Sequence, residues 1–136
     1  MRRIAAILAG VTMLAGPACA GSSGAEALAA LDQFMIIRAI AARCGHAAPD
    51  AAEAFQRKYD LVVADGAAAL KLLASDLAQA HIEKLIGNHY EEIDRRVSAV
   101  VAQESCGGPR AQQALQRYDN ASNTPNIELL AKNGNW

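Results

Sequence analysis

The sequence of 136 residues predicts an all-α fold, a small three-helix up-down-up bundle with a short fourth helix and one disulfide. Three observations predict it. Apolar residues recur at steps of three and four over long stretches, as one face of a helix requires. The composition is rich in Ala and Leu and lacks the Val, Ile and Thr runs flanked by Gly and Asn that mark strands. Two cysteines, Cys44 and Cys106, stand at the mouth of one long helical hairpin running from Ala51 to Cys106.

Residues 1–20 read as a secretory signal peptide. Arg2 and Arg3 form a basic n-region, Ile4 to Gly16 an apolar h-region, and Ala18-Cys19-Ala20 the small residues before a cut ahead of Gly21. The expected localisation is therefore periplasmic or secreted, through a Sec signal cleaved after Ala20. The paired arginines sit at the extreme N-terminus without the longer n-region of twin-arginine signals, which favours Sec. Gly16-Pro17-Ala18 before Cys19 is unlike the Leu-Ala-Gly type of run that lipoprotein processing uses, which disfavours a lipid anchor. A bilayer span takes about 20 apolar residues, so no transmembrane segment is expected in the mature chain.

Residues 21–24 form a Gly/Ser linker, and a single helical domain is expected over 25–119. The first helix should run from Ala25 to about Cys44, with Leu28, Leu31, Met35, Ile36 and Ile40 as its core face and Gly45 as its stop. Pro49 and Asp50 suit the start of the second helix, since proline lacks an N–H that would go unpaired and an acid complements the dipole.

The second helix, about 50–74, carries Phe55, Tyr59, Val62, Gly66, Leu70 and Leu73 on one face. The third, about 77–106, carries Ala78, Ile82, Ile86, Tyr90, Ile93, Val97 and Val100. The two stripes fall out of phase between residues 74 and 81, so a turn is expected near Ser75 and Asp76, with Asp76 and Gln79 as a capping box. Gly87-Asn88 is a rival turn by composition. A disulfide decides between them, because its Cα atoms must lie roughly 4.4 to 6.8 Å apart. At about 1.5 Å per residue, a turn near Ser75 gives arms of about 36 and 45 Å, whereas one at Gly87 gives about 55 and 27 Å. The first nearly closes. Gly66, on the core stripe, costs about 1 kcal/mol relative to Ala; close approach of a neighbouring helix explains it, and a hinge after Asp65 is the alternative.

Gly107-Gly108-Pro109 stops the third helix. Arg110 to Tyr118 should form the short fourth helix, with Ala114, Leu115 and Tyr118 on its apolar side. Residues 120–136 are Asn-rich and broken by Pro125, and read as a flexible C-terminal tail with Ile127 to Ala131 as a docking turn.

With Cys19 removed, the even pair Cys44 and Cys106 in an exported chain favours a structural disulfide, contributing about 4 kcal/mol in the chain-entropy model. No Cys-x-x-Cys redox motif is present, and Cys44-Gly45-His46 lacks the second cysteine of a haem attachment site. His46, His81 and His89, with Met35 or Glu92, are the metal-ligand candidates, but His81 and His89 are eight apart whereas a helical site needs i and i+3 or i+4. They read as solvated. Glu91, Glu92, Asp94, Arg95 and Arg96 read as an exposed face with i,i+4 pairs Glu91–Arg95 and Glu92–Arg96. The slight acidic excess of the mature chain excludes a nucleic-acid footprint.

No catalytic, cofactor-binding or metal residue is therefore assigned, no cofactor is expected, and an enzyme is not expected. In size, export and a single long-range cysteine pair the chain resembles the small periplasmic acid-stress chaperones of the HdeA type, a resemblance of format that carries no site. The function expected is a binding, chaperone-like or structural role in an exported protein, acting on an unidentified protein partner through a helical face or the C-terminal tail. The alternative is a small-ligand or metal carrier using the histidines.

Overall fold

A computed structural model describes residues 23–123. They form four helices, α1 (Gly24–Arg43), α2 (Pro49–Leu73), α3 (Gln79–Glu104) and α4 (Pro109–Asn123). The expected signal peptide and the docking turn at Ile127 to Ala131 lie outside the described residues.

The fold is all-α, as the periodicity requires, and α1 is its axis. Phe34, Met35, Ile37, Ala39, Ile40 and Ala41 are all buried, and they point to more than one side of the helix. A helix buried over most of its circumference has to be enclosed by several neighbours. It packs against α2, α3 and α4 alike. The expected single stripe on this helix missed Phe34, Ile37 and Ala39, because it assumed two neighbours where there are three.

The helix begins one residue before its expected start. Ser23 caps it in a reciprocal box, with Glu26 N–H donating to Ser23 Oγ at 3.3 Å and Ser23 N–H donating to Glu26 Oε2 at 2.8 Å. Ser23 and Gly24 thus belong to the helix rather than to the linker expected at 21–24. At the other end Gly45 takes a φ of 60°, and His46 N–H donates back to the Ala41 carbonyl at 3.0 Å. That is a Schellman-type stop, and it requires the left-handed conformation that glycine adopts without a steric penalty.

The second helix ends at Leu73 and the third begins at Gln79, so the turn lies where the phase slip and arm lengths place it. Gly87 and Asn88 are inside α3. The expected Asp76–Gln79 capping box does not form. Ala78 is the N-cap, without a side-chain bond, because α3 starts too late for Asp76 to reach it as a cap. Lys71 instead ties the turn, its Nζ donating to the carbonyls of Ser75, at 2.8 Å, and Leu77. A Cβ built on Gly66 would lie 2.7 Å from Leu31 Cδ2, and α2 is continuous through it. Close helix approach, not a hinge, accounts for that glycine.

Gly24 lies opposite Ala69, where a built Cβ would come within 3.8 Å of the Ala69 Cβ. The last turn of α2 therefore projects past the start of α1, leaving Leu72 and Leu73 84% and 73% exposed. Leu73 was expected in the core; its phase is right, but no helix is opposite it.

The largest departure is α4. It runs to Asn123 rather than Tyr118, and Ala111, Ala114, Leu115, Tyr118 and Ala121 are all buried. The helix starts beside Glu104 and ends on the first turns of α2, where Ser122 Oγ donates to the Ala51 carbonyl at 3.1 Å and Lys58 Nζ donates to the Ala121 carbonyl. Residues 120–123 are thus helical, not the beginning of a tail. Asn120 and Asn123, the residues that suggested a break, are merely its exposed face.

Two measurements check this architecture. Ser75→Pro, in the turn, should cost little, whereas Ile86→Pro should cost about 3 kcal/mol or more by deleting a helical hydrogen bond and clashing with the preceding turn; the reverse ranking in melting temperature would displace the turn. Truncation after Asp119 should destabilise by about 1–3 kcal/mol, since it removes the buried Ala121 and the hydrogen bonds of Ala121 and Ser122. An unchanged melting temperature would show that the end of α4 contributes nothing.

Candidate ligand-binding site

The disulfide end of the bundle carries a concave site. Cys44 and Cys106 are bonded with Cα atoms 5.6 Å apart, joining the end of α1 to the loop after α3. Beneath that end, aromatic rings connect three helices. Phe55 of α2 stacks on Phe34 of α1 at 5.5 Å and on Tyr118 of α4 at 4.2 Å between ring centroids. Phe34 and Phe55 are almost completely buried, so each contributes about 1.5–3 kcal/mol of apolar burial.

Over this stack opens a groove of about 440 Å³. Its apolar walls are Ala41, Ala42, Ala47 and Ala52, with Phe55 and Tyr118 at the base; Arg38, His46 and Gln56 supply polar groups. The sequence builds it locally. The Gly45 turn carries the chain sharply out of α1, and Pro49 restarts it as α2, so short alanines from both helix ends face each other across a gap that larger side chains would fill.

The electrostatics of the groove are uneven. His46 Nε2 lies 2.8 Å from Asp119 Oδ1, pinning the α1–α2 loop to α4, and its ring stands edge-on to Tyr118. Burial, then the nearby Asp119, pushes the Tyr118 phenol above its ordinary pKa. Tyr90 is pushed up as well, mainly by burial. Both therefore stay neutral at physiological pH. The Arg38 guanidinium lies 4.5 Å from the Tyr59 ring centroid and 5.4 Å from that of Tyr90, a double cation–π contact. The ion pairs among the described residues engage Arg43, Arg57, Arg110 and two histidines, but not Arg38.

The histidines are not brought together. His46 pairs with Asp119, His89 Nε2 lies 2.5 Å from Asp32 Oδ1, and His81 is exposed. Two of the three thus have acidic partners distant in sequence while staying partly exposed, and because Asp32 and Asp119 come from other helices no periodicity within one helix could reveal the pairing. Met35 is entirely buried in the core. Among the described residues no group of three or more His, Cys, Asp or Glu side chains could hold a metal ion.

The charged run of α3 also pairs differently from expectation. Asp94 takes Arg43 of α1 at 2.6 Å, and Arg95 Nε reaches the Glu91 backbone carbonyl at 3.4 Å rather than its carboxylate. Sequence reasoning missed Arg38, Gln56 and Tyr118 as site residues. A signal for the first exists: Arg38 is the one cation in the apolar stretch from Phe34 to Ala42, where a charge needs something specific to face.

Among the described residues no helix is long and apolar enough to cross a membrane. Comparisons with protein-family models, with curated proteins and with solved structures gave no match, so the site is read on its own geometry.

Because the disulfide anchors the residue next to the Gly45 turn, replacing both Cys44 and Cys106 by Ala should lower stability by about 2–4 kcal/mol in denaturant titration. A change below about 1 kcal/mol would mean that the helices hold this end together without the crosslink.

Proposed function

We propose that this chain is an exported helical protein with a binding role, and that its ligand is a small molecule held in the groove over Phe55 and Tyr118. The groove itself carries the reading. Its volume of about 440 Å³ falls within the roughly 300–1,000 Å³ of small-ligand sites, and it combines apolar walls with a few convergent polar groups on rigid helices. Export to the periplasm or beyond is supported by the basic, apolar and small-residue order of residues 1–20, and by a disulfide, which persists in oxidising compartments. The small-ligand form of the carrier is favoured over the metal form, since the histidines are separated and each of the two interhelical ones already has an acidic partner.

A second reading rests on the opposite end of the molecule. Leu72 and Leu73 are adjacent and largely exposed at the end of α2, and exposed apolar residues that stand together mark interaction sites. A protein partner docking there would give the chain the chaperone-like or structural role instead.

A fragment library screened by ¹H–¹⁵N correlation spectroscopy on the oxidised protein separates the two. Fragments are expected to shift the amides of Ala42, Gly45, Ala52 and Gln56 as one cluster. If those amides stay still, while Leu72→Ser with Leu73→Ser abolishes association with a protein of the same compartment, the binding role belongs to the hairpin end.

A further inference from the structure

We infer that the groove selects a small organic anion, a monocarboxylate with an aromatic or short apolar body, and that Arg38 is the group that binds the carboxylate. This rests on the groove being a small-molecule site and specifies what it takes. Arg38 lies between Ile37 and Ala39, which are 1% and 0% exposed, so its backbone is held in the core while its half-buried side chain lines the groove.

The two tyrosines contact the guanidinium through their ring faces. Such contacts hold the cation in place but do not use its in-plane N–H donors, and the planar fork is the part that matches a carboxylate in a bidentate pair. Four carboxylates of the bundle are paired with other basic side chains, and none of the described carboxylates forms an ion pair with Arg38. Asp94 pairs with Arg43, Asp119 with His46, Asp32 with His89 and Glu104 with Arg110. A half-buried cation with no ion pair among the described residues is where an external anion gains most, because partial exclusion of water strengthens the attraction.

The remaining lining sets the rest of the ligand. Ala42, Ala47 and Ala52 offer an apolar contact surface to a body, with the buried Phe55 beneath them, and the Gln56 amide, one N–H of which donates to Asp60 Oδ1 at 2.7 Å, has hydrogen-bonding capacity left over. One cation matches one negative charge. A phosphate, carrying more charge, would call for more donors, and Pro49 at the start of α2 removes one of the backbone N–H groups that a helix N-terminus would have offered it.

The test uses the full exported, oxidised protein and paired probes: benzoate and phenylacetate against their neutral counterparts benzyl alcohol and 2-phenylethanol, titrated by NMR and calorimetry. Each carboxylate is expected to bind about tenfold or more tighter than its alcohol, a discrimination in the range of a charge-assisted hydrogen bond. Arg38→Gln should abolish that preference while leaving the weak binding of the alcohols. Arg38→Lys, which keeps the charge and loses the fork, should retain part of it, and it serves as the second variant if Arg38→Gln does not fold. Equal affinity for acid and alcohol in the unmodified protein, or an acid preference untouched in both variants, overturns the role of Arg38 while the groove remains a binding site. Tighter binding of phenyl phosphate than of benzoate overturns the monocarboxylate. If none of the probes shifts the groove amides, both the anion inference and the groove reading fall.

Discussion

A helix whose buried side chains spread round most of its circumference cannot lie on the outside of a bundle, and α1 is such a helix. Phe34 and Ala41 turn toward one side, Met35 and Ala39 toward another, Ile37 and Ile40 toward a third. Water must be kept from all of them, so three helices have to surround α1 and the chain has to supply a third neighbour beyond the long hairpin of α2 and α3. The residues of α4 meet that need at modest helix length. Ala111, Ala114 and Ala121 are small enough for its backbone to come close, and Leu115 and Tyr118 fill what remains.

From that enclosure follows the difference between the two ends of the molecule. At the disulfide end all four helices meet, the Phe34–Phe55–Tyr118 stack crosses between them, and interhelical pairs such as Arg43–Asp94 and His46–Asp119 close the periphery. Exposed pairs of this kind contribute about 0–1 kcal/mol each, so they orient side chains more than they hold the fold. At the other end α4 is absent, α1 has only begun, and the tip of the α2–α3 hairpin stands alone with Leu72 and Leu73 in solvent. The crosslink and the groove coincide at the first end, where Arg38 lies, and exposed apolar surface lies at the second. A groove lined from packed, crosslinked helices holds its polar groups in place before anything enters it.

Much of this was legible in the chain itself. The steps of three and four gave the helices, the slip in phase after Leu73 gave the turn, and the requirement that Cys44 and Cys106 meet rejected Gly87-Asn88 as its position. Those features depend on the chain's own spacing, which a sequence displays directly. Gly66 belongs with them, since a glycine on a core stripe has few causes other than a close neighbour, here Leu31.

The length and docking of α4, the partners of His46 and His89, and the groove at Arg38 are of another kind. Each depends on which residues distant in sequence meet across helices: Asp119 with His46, Asp32 with His89, Tyr118 with Phe55, the two tyrosines with Arg38. Helical period fixes the direction of a side chain relative to its own axis but not the rotation or offset of one helix against the next. Those are set by how side chains of particular sizes interlock once the bundle closes. The sequence by itself therefore determined the helices, their turns and the crosslink, whereas the tertiary packing decided what the charged and aromatic side chains face.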